Sequence, residues 1–277
     1  MDWLTDNKIP VGKWAKRATD WLIDNAGFLF DWLSEQLKSL IDGLLWLLEW
    51  PHPLLFIALA GLLAYWRKRT LAFPVLVVLS LLFIVNQGYW EEMLQTLALV
   101  LCASLVCMVM GVPLGIAAAH NAKFSSVLRP ILDLMQTIPT FVYLIPALIL
   151  FGLGMVPGLI ATVIFAIPAP IRLTELGVRA TPTALLEAGQ SFGATRWQLL
   201  RKVELPYALP QIMAGLTQTI MLSLSMVVIA ALVGAPGLGV PVVRALNTVN
   251  IAKGFEAGIV IVLVAILLDR FLRLESK

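Results

Sequence analysis

Ionisable side chains are scarce in this sequence. Asp, Glu, Lys and Arg make up 13% of its residues, where a soluble domain carries about 25%. Hydrophobic residues reach 60% of the 277, with a mean hydropathy of +0.89. That much apolar surface would overfill a globular core of this length, so most of it must face lipid or other membrane helices. Cysteine is nearly absent. Cys102 and Cys107 stand five residues apart in one apolar run, share a helical face poorly, and argue against a disulfide or a thiolate metal site. The only two histidines, His52 and His120, are isolated at segment ends and read as interfacial residues, not ligands. No Gly-x-x-x-x-Gly-Lys-Ser/Thr loop occurs: the one Gly-Lys pair, Gly12-Lys13, lacks the preceding glycine and is followed by Trp14. Neither a catalytic Ser/His/Asp set nor a metal-spaced cluster is visible, so the chain reads as no enzyme and as holding no cofactor of its own. Residues 1–10 are polar and acidic, without the basic start, apolar core and cleavage site of a signal peptide.

What is abundant is apolar sequence in runs bounded by charges and turn residues. Seven candidate membrane helices follow: 54–66, 71–85, 94–119, 127–150, 156–176, 212–233 and 257–272. The first two fall short of the ~20 residues a span needs, so their ends must extend into flanking polar residues. With the amino terminus outside and the carboxyl terminus inside, Arg67, Lys68, Arg69, Lys123, Arg129, Arg172, Arg179, Arg196, Arg201, Lys202, Arg270, Arg273 and Lys277 fall at the cytoplasmic face. Only Arg244 and Lys253 remain on the outer side of the later loops. The opposite orientation would reverse the positive-inside bias.

A different pattern precedes the spans. Leu22, Ala26, Leu29, Leu33, Leu37, Leu40, Leu44 and Leu48 recur at steps of three or four, with Asp20, Asp24, Asp31, Glu35, Lys38 and Asp42 on another face. This is an amphipathic helix, and Trp21, Trp32, Trp46 and Trp50 suit the headgroup layer. It reads as a surface-lying helix; a sensor or a docking surface is the other reading. Pro51 and Pro53 end it. The division is therefore an external amphipathic segment at 1–50, two additional spans within 51–90, and a transmembrane unit at 91–273.

An ion-coupled carrier needs a titratable or coordinating group well inside the bilayer. Here Arg129 and Asp133 sit near the cytoplasmic start of one helix, Arg172 and Glu175 near the cytoplasmic end of the next, and the rest of the spans carry almost no charge. Uphill transport would need an external energy source. A secondary carrier would need inverted repeats or a mid-membrane ion site, and neither is visible.

The segment at 181–208 holds the most informative run: Glu187-Ala188-Gly189-Gln190-Ser191-Phe192-Gly193-Ala194-Thr195, continuing through Arg196 to Val203-Glu204-Leu205-Pro206. It resembles the EAA loop of ABC importer permeases, E-A-A, three residues, G, nine residues, I-x-L-P. Glu187, Ala188, Gly193, Leu205 and Pro206 match in register; Val203 replaces Ile, and Gly189 replaces the second Ala. The pattern predicts two short helices, 185–190 and 195–203, turning at Gly193 beside Ala194, with Pro206 stopping the second. From about 96 to 270 the chain resembles the glycine betaine, proline betaine and choline permeases, through Gly111-Val112-Pro113-Leu114-Gly115-Ile116, residues 132–144, and Leu224-Ser225-Met226-Val227-Val228-Ile229-Ala230.

The resemblance implies an all-α polytopic protein with a type I ABC importer permease core in the bacterial cytoplasmic membrane. It implies a coupling helix docked on a separate ATPase that binds ATP and Mg, an external solute-binding protein, a second permease copy, and no nucleic acid partner. The expected cargo is a quaternary ammonium compatible solute. For its path we single out Gln136, Thr137, Thr140, Phe141 and Tyr143 on the fourth span and Ser223, Ser225 and Met226 on the sixth, since polar groups on apolar helices face a cavity or another helix; hydrogen bonding between helices alone is the other reading. Pro139, Pro146, Pro168 and Pro170 would kink their spans, as hinges or as static bends. The loop at 234–254, with Arg244, Asn247, Asn250 and Lys253, is long for a simple turn and is expected to meet the binding protein. An importer of another small polar solute, a carrier and a non-transporting scaffold are the competing functions.

Overall fold

Proline and glycine, more than polar loops, divide this chain into helices. The computed structural model describes residues 10–272, with no strand among them. Residues 1–9 and 273–277, including Arg273 and Lys277, lie outside the described residues. Helix α1 (Val11–Glu49) is 39 residues long, well beyond the leucine stripe, and ends where two prolines remove backbone donors. Its Leu37 and Ile41 are buried, Leu33, Leu44, Leu45 and Leu48 press on the bundle core, and Phe30 meets Phe151 edge-to-face at 5.5 Å. Helix α2 (Pro53–Lys68) leaves it at 92°. Helix α1 packs on the bundle through Leu33, Leu37, Ile41, Leu44, Leu45 and Leu48, while Trp14, Trp21, Trp32, Trp46 and Trp50 are exposed.

The spans follow. Helices α2 and α3 (Ala72–Asn86) have 16 and 15 residues, about 24 and 22 Å at 1.5 Å per residue, against a hydrocarbon core of about 30 Å. Helix α4 (Trp90–His120) is continuous. The fourth expected span is not one rod: α5 (Ala122–Thr137) and α6 (Thr140–Phe151) meet at 93°. Pro139 is the cause, because it has no N–H and its ring pushes Ile138 out of the helical region, to φ −65° and ψ 128°. Helices α7 (Met155–Ala166) and α8 (Pro168–Arg179) together make one span of 25 residues, since Pro168 and Pro170 fall in the first turn of α8, where no donor is missed. Pro146 is accommodated inside α6. The remainder comprises α9 (Thr183–Ser191), α10 (Arg196–Leu199), a π-helical turn at Leu200–Glu204, α11 (Leu205–Ala231), α12 (Gly239–Asn247) and α13 (Ile251–Leu272). Among the described residues four helices are long and apolar enough to cross a bilayer, six if each bent pair counts as one, and α3 is a shorter apolar helix beside them.

The ends of these helices segregate as alternating spans require. Near one end, Phe73 at the start of α3 meets Phe271 at the end of α13, and His120 meets Glu204. At the other, Phe56 meets Trp90, and the Gly154 N–H donates to the Val233 carbonyl at 2.9 Å. Helix α8 is the centre, gripped by α4 and α11. Missing side chains set that spacing: a Cβ on Gly115 of α4 would lie 2.6 Å from the Ile171 carbonyl oxygen and 2.7 Å from Thr174 Cβ, and one on Gly177 of α8 would meet Gln211 Cβ at 2.9 Å. Between helices in lipid, such close approach supplies the dispersion that apolar side chains alone do not.

Ion pairs join the same helices at the end nearest α9. Buried Glu175 Oε1 accepts from Ser125 Oγ at 2.7 Å and from Arg129 at 3.2 Å, and forms an ion pair with Arg179 at 3.1 Å. Arg179 also donates to the Ala118 carbonyl at 2.9 Å, and the exposed Arg172 pairs with Asp133 at 2.6 Å. Helices α5 and α8 thus exchange partners crosswise.

Gly115→Ala should separate α4 from α8 and destabilise the purified protein by about 1–3 kcal/mol, seen as a lower thermal unfolding midpoint in detergent. Gly43→Ala, with open space around the added carbon, should raise the midpoint slightly; equal behaviour of the two would contradict this packing. Glu175→Ala strips Ser125 and Arg129 of their acceptor and Arg179 of its ion pair and should cost about 1–3 kcal/mol, with Glu175→Gln retaining part of the loss, in the same unfolding experiment.

Candidate coupling loop and solute path

The segment after α8 folds by local rules. Helix α9 closes in a left-handed turn at Gly193, φ +76°. There the Gly193 N–H donates to the Gln190 carbonyl at 2.8 Å and the Ala194 N–H to the Gly189 carbonyl at 3.1 Å, the bond pair of a Schellman motif. Thr195 then starts α10 with a capping box: its Oγ1 accepts the Gln198 N–H, and the Gln198 side chain accepts the Thr195 N–H at 2.8 Å. Both glycines have reasons. Gly193 needs the positive φ, and at Gly189 a Cβ would lie 2.5 Å from Leu199 Cδ2. Leu199 is buried in that vacated space, which closes α9 against α10.

Pro206 does not stop the second helix. The chain runs helically from Arg196 to Ala231. The π-helical turn at Leu200–Glu204 widens the ladder, the Leu205 N–H reaching the Leu200 carbonyl, so that Pro206 falls in the first turn of α11 where its lost donor is tolerated. The loop is thus joined rigidly to a span on its far side. That same side is tied to α4 by His120, whose Nε2 lies 2.9 Å from Glu204 Oε2 and whose Nδ1 lies 3.1 Å from the Ile116 carbonyl.

Large apolar side chains stand exposed among the polar ones of this loop. Glu187 and Ala188 are exposed, flanked by Leu185, Trp197 and Phe192, the last 92% exposed. Arg201 lies over the Trp197 ring at 5.7 Å. Val203 and Leu205 are half-buried beneath. Phe192 and Trp197 were not singled out from the sequence, although two aromatics in a polar stretch were the available signal. Beside them His120, Gln190, Trp197 and Glu204 line a cavity of about 640 Å³.

The residues singled out for a path are only partly brought together. Gln136, Thr137, Thr140 and Phe141 cluster at the α5–α6 break, with Thr137 and Phe141 exposed. Tyr143 packs with Met226 in one apolar cluster with Leu144, Ala161 and Val233. Met226 and Ser223 are buried, and the Ser223 hydroxyl is spent on the Thr219 carbonyl at 2.8 Å. Ser225 is exposed on α11 and donates to the Met221 carbonyl. At the opposite end from the coupling loop, Arg244, Asn250 and Lys253 line one cavity while Asn247 is exposed outside it. Asn250 also serves α13, its Oδ1 accepting the Lys253 N–H at 3.1 Å. The segment at 234–254 is folded as α12, which accounts for its length. Among the described residues no cluster of His, Cys, Asp or Glu could hold a metal ion.

Residues 111–275 match the family of binding-protein-dependent transport system inner membrane components. The chain is 50% identical over 228 residues, 81% of each chain, to the glycine betaine/carnitine transport permease protein of Listeria monocytogenes. It is 51% identical over 220 residues, covering 79% of this chain and 77% of the relative, to the glycine betaine transport system permease protein of Bacillus subtilis. Its fold is similar to the MetNI methionine ABC transporter in an inward-facing conformation, with TM-score 0.59, 25% identity, and 66% of this chain and 94% of that one covered. The family match over residues 111–275 and the 50% identity over four-fifths of the chain make this protein a member of the binding-protein-dependent transport system inner membrane components, the permease subunits of ABC importers.

Proposed function

We propose that this chain is the permease of an ATP-driven importer of glycine betaine or a related quaternary ammonium solute. The observation that carries the reading is the 50% identity to a permease named for glycine betaine and carnitine. In this account ATP and Mg bind a separate ATPase subunit, which docks on α9 and α10. Exposed Phe192, Trp197 and Leu185 enter a groove on that subunit, and Glu187 and Ala188 set the register, with Gly189, Gly193, Ala194, Val203, Leu205 and Pro206 shaping the loop behind them. The rigid join through the π-helical turn carries the ATPase's rigid-body movement into α11.

Two copies of the permease enclose the path. Backbone freed from helical bonds at the α5–α6 break must face protein or a water-filled cavity, which favours a path past Gln136, Thr137, Thr140 and Phe141, opposite Ser225. Tyr143, Ser223 and Met226 back that wall. The amino terminus lies outside and the carboxyl terminus in the cytoplasm, following the basic residues at the α9 end. The end with Arg244, Asn247, Asn250 and Lys253 then receives an external binding protein.

The test is ATP-dependent uptake of labelled glycine betaine and labelled choline, in vesicles with the cognate ATPase and binding protein. Glu187→Lys and Phe192→Asp should each reduce uptake at least tenfold, and Phe192→Asp should also release the ATPase on purification. Uptake that persists without ATP, or that both variants leave intact, would replace the importer with an ATP-independent carrier. Transport of an unrelated solute would remove the cargo assignment alone.

A further inference from the structure

A second built cavity lies at the end opposite the coupling loop. The turn before α4, the first turns of α4, and the segment from Pro236 to Lys253 enclose about 680 Å³. Its chemistry is divided by element. Tyr89, Glu92 and Gln95 come from the start of α4, while Arg244 comes from α12 and Lys253 from α13. The Tyr89 hydroxyl is pushed up from its ordinary value first by burial, then by the carboxylates of Glu256 and Glu92. Glu92 thus lines the cavity from the α4 side and Arg244 and Lys253 line it from the other, where Glu256 of α13, outside the lining, also acts on Tyr89.

The walls are held in place by contacts between the segments that form them. The Leu238 N–H donates to the buried Thr96 hydroxyl at 2.8 Å. Gly237, φ +123°, lies so near α4 that a Cβ would be 2.7 Å from Thr96 Oγ1. Gly239 packs on the Val227 carbonyl of α11, and Asn250 caps α13. A preformed pocket of this kind avoids the ordering cost that a mobile loop would incur on binding.

We propose that this cavity is a receiving site for a small zwitterion bearing a quaternary ammonium and a carboxylate. The ammonium sits against the Tyr89 ring and Glu92, and the carboxylate against Arg244 and Lys253. The proposal rests on the solute class given above and deepens it. A methylated ammonium cannot donate hydrogen bonds and is held by an aromatic face and a nearby carboxylate. A carboxylate is matched by the guanidinium fork and an ammonium. Choline has the cation without the carboxylate, so it would engage only half of the site. The site thus selects betaines over choline, beneath the surface where the binding protein would dock.

The experiment measures equilibrium binding of labelled glycine betaine and labelled choline to the purified permease–ATPase complex in lipid nanodiscs without binding protein, beside uptake in the complete system. Variants are compared only where they elute as assembled complex. Glycine betaine should bind at least tenfold more tightly than choline. Arg244→Gln should weaken glycine betaine about tenfold and leave choline unchanged, with Arg244→Lys recovering part of the loss; Glu92→Gln should weaken both. Equal affinities for the two solutes would overturn the proposal. So would variants that change only the binding-protein concentration at half-maximal uptake, which would make these residues a protein contact. A complex that imports glycine betaine but shows no such binding removes this site and leaves the transport reading standing. One that imports a different solute and no betaine removes both.

Discussion

The structure depends on how closely α8 lies between α4 and α11. Lipid gives no hydrophobic reward for bringing apolar helices together, so the association must come from close packing and satisfied polar groups. Gly115 and Gly177 remove the side chains that would hold the helices apart, and the crosswise pairs of Arg129 with Glu175 and Arg172 with Asp133 fix the register of α5 against α8. Charge that would be costly inside a bilayer is thereby kept to the ends of the helices, leaving the spans almost uncharged.

That arrangement decides what the two ends can do. Near the α9 end the chain leaves α8, makes two capped turns and enters α11 without a break, so the loop is rooted in the packed centre and in one of its neighbours. His120 adds a third root, touching the Ile116 carbonyl and Glu204. An element tied to three helices moves as a body with them or not at all. At the opposite end α12 folds back on α11 and is pinned to Thr96, which turns a long connection into the wall of a cavity. Between the ends, the bend at Pro139 is the one place where a candidate path residue cluster meets irregular backbone.

Much of this was legible in the sequence because it is local. The leucine stripe of α1, the helix start near Thr195, the turn at Gly193 and the in-register Glu187 motif all depend on near neighbours. What was not legible depends on distant ones. Pro139 was expected to kink a span, but a 93° break instead of a bend depends on the surrounding packing. Pro206 was expected to end a helix, and the π-helical turn that admits it leaves no composition signal. The burial of Ser223 and Met226 depends on which face of α11 its neighbours cover, and the use of Asn250 as a cap depends on where α13 begins. Phe192 and Trp197 were readable as aromatics, but their exposure follows from the orientation of a loop whose inner face is filled by Leu199.

The account stands most directly on the docking of an ATPase at that loop. Hydrogen exchange at the backbone amides of residues 183–199, followed by mass spectrometry in nanodiscs with and without the cognate ATPase subunit, measures it. The account expects slower exchange across 183–199 when the ATPase is present and no change at 239–247. Unchanged exchange at 183–199 in a complex that co-purifies would place the ATPase elsewhere and contradict the coupling role.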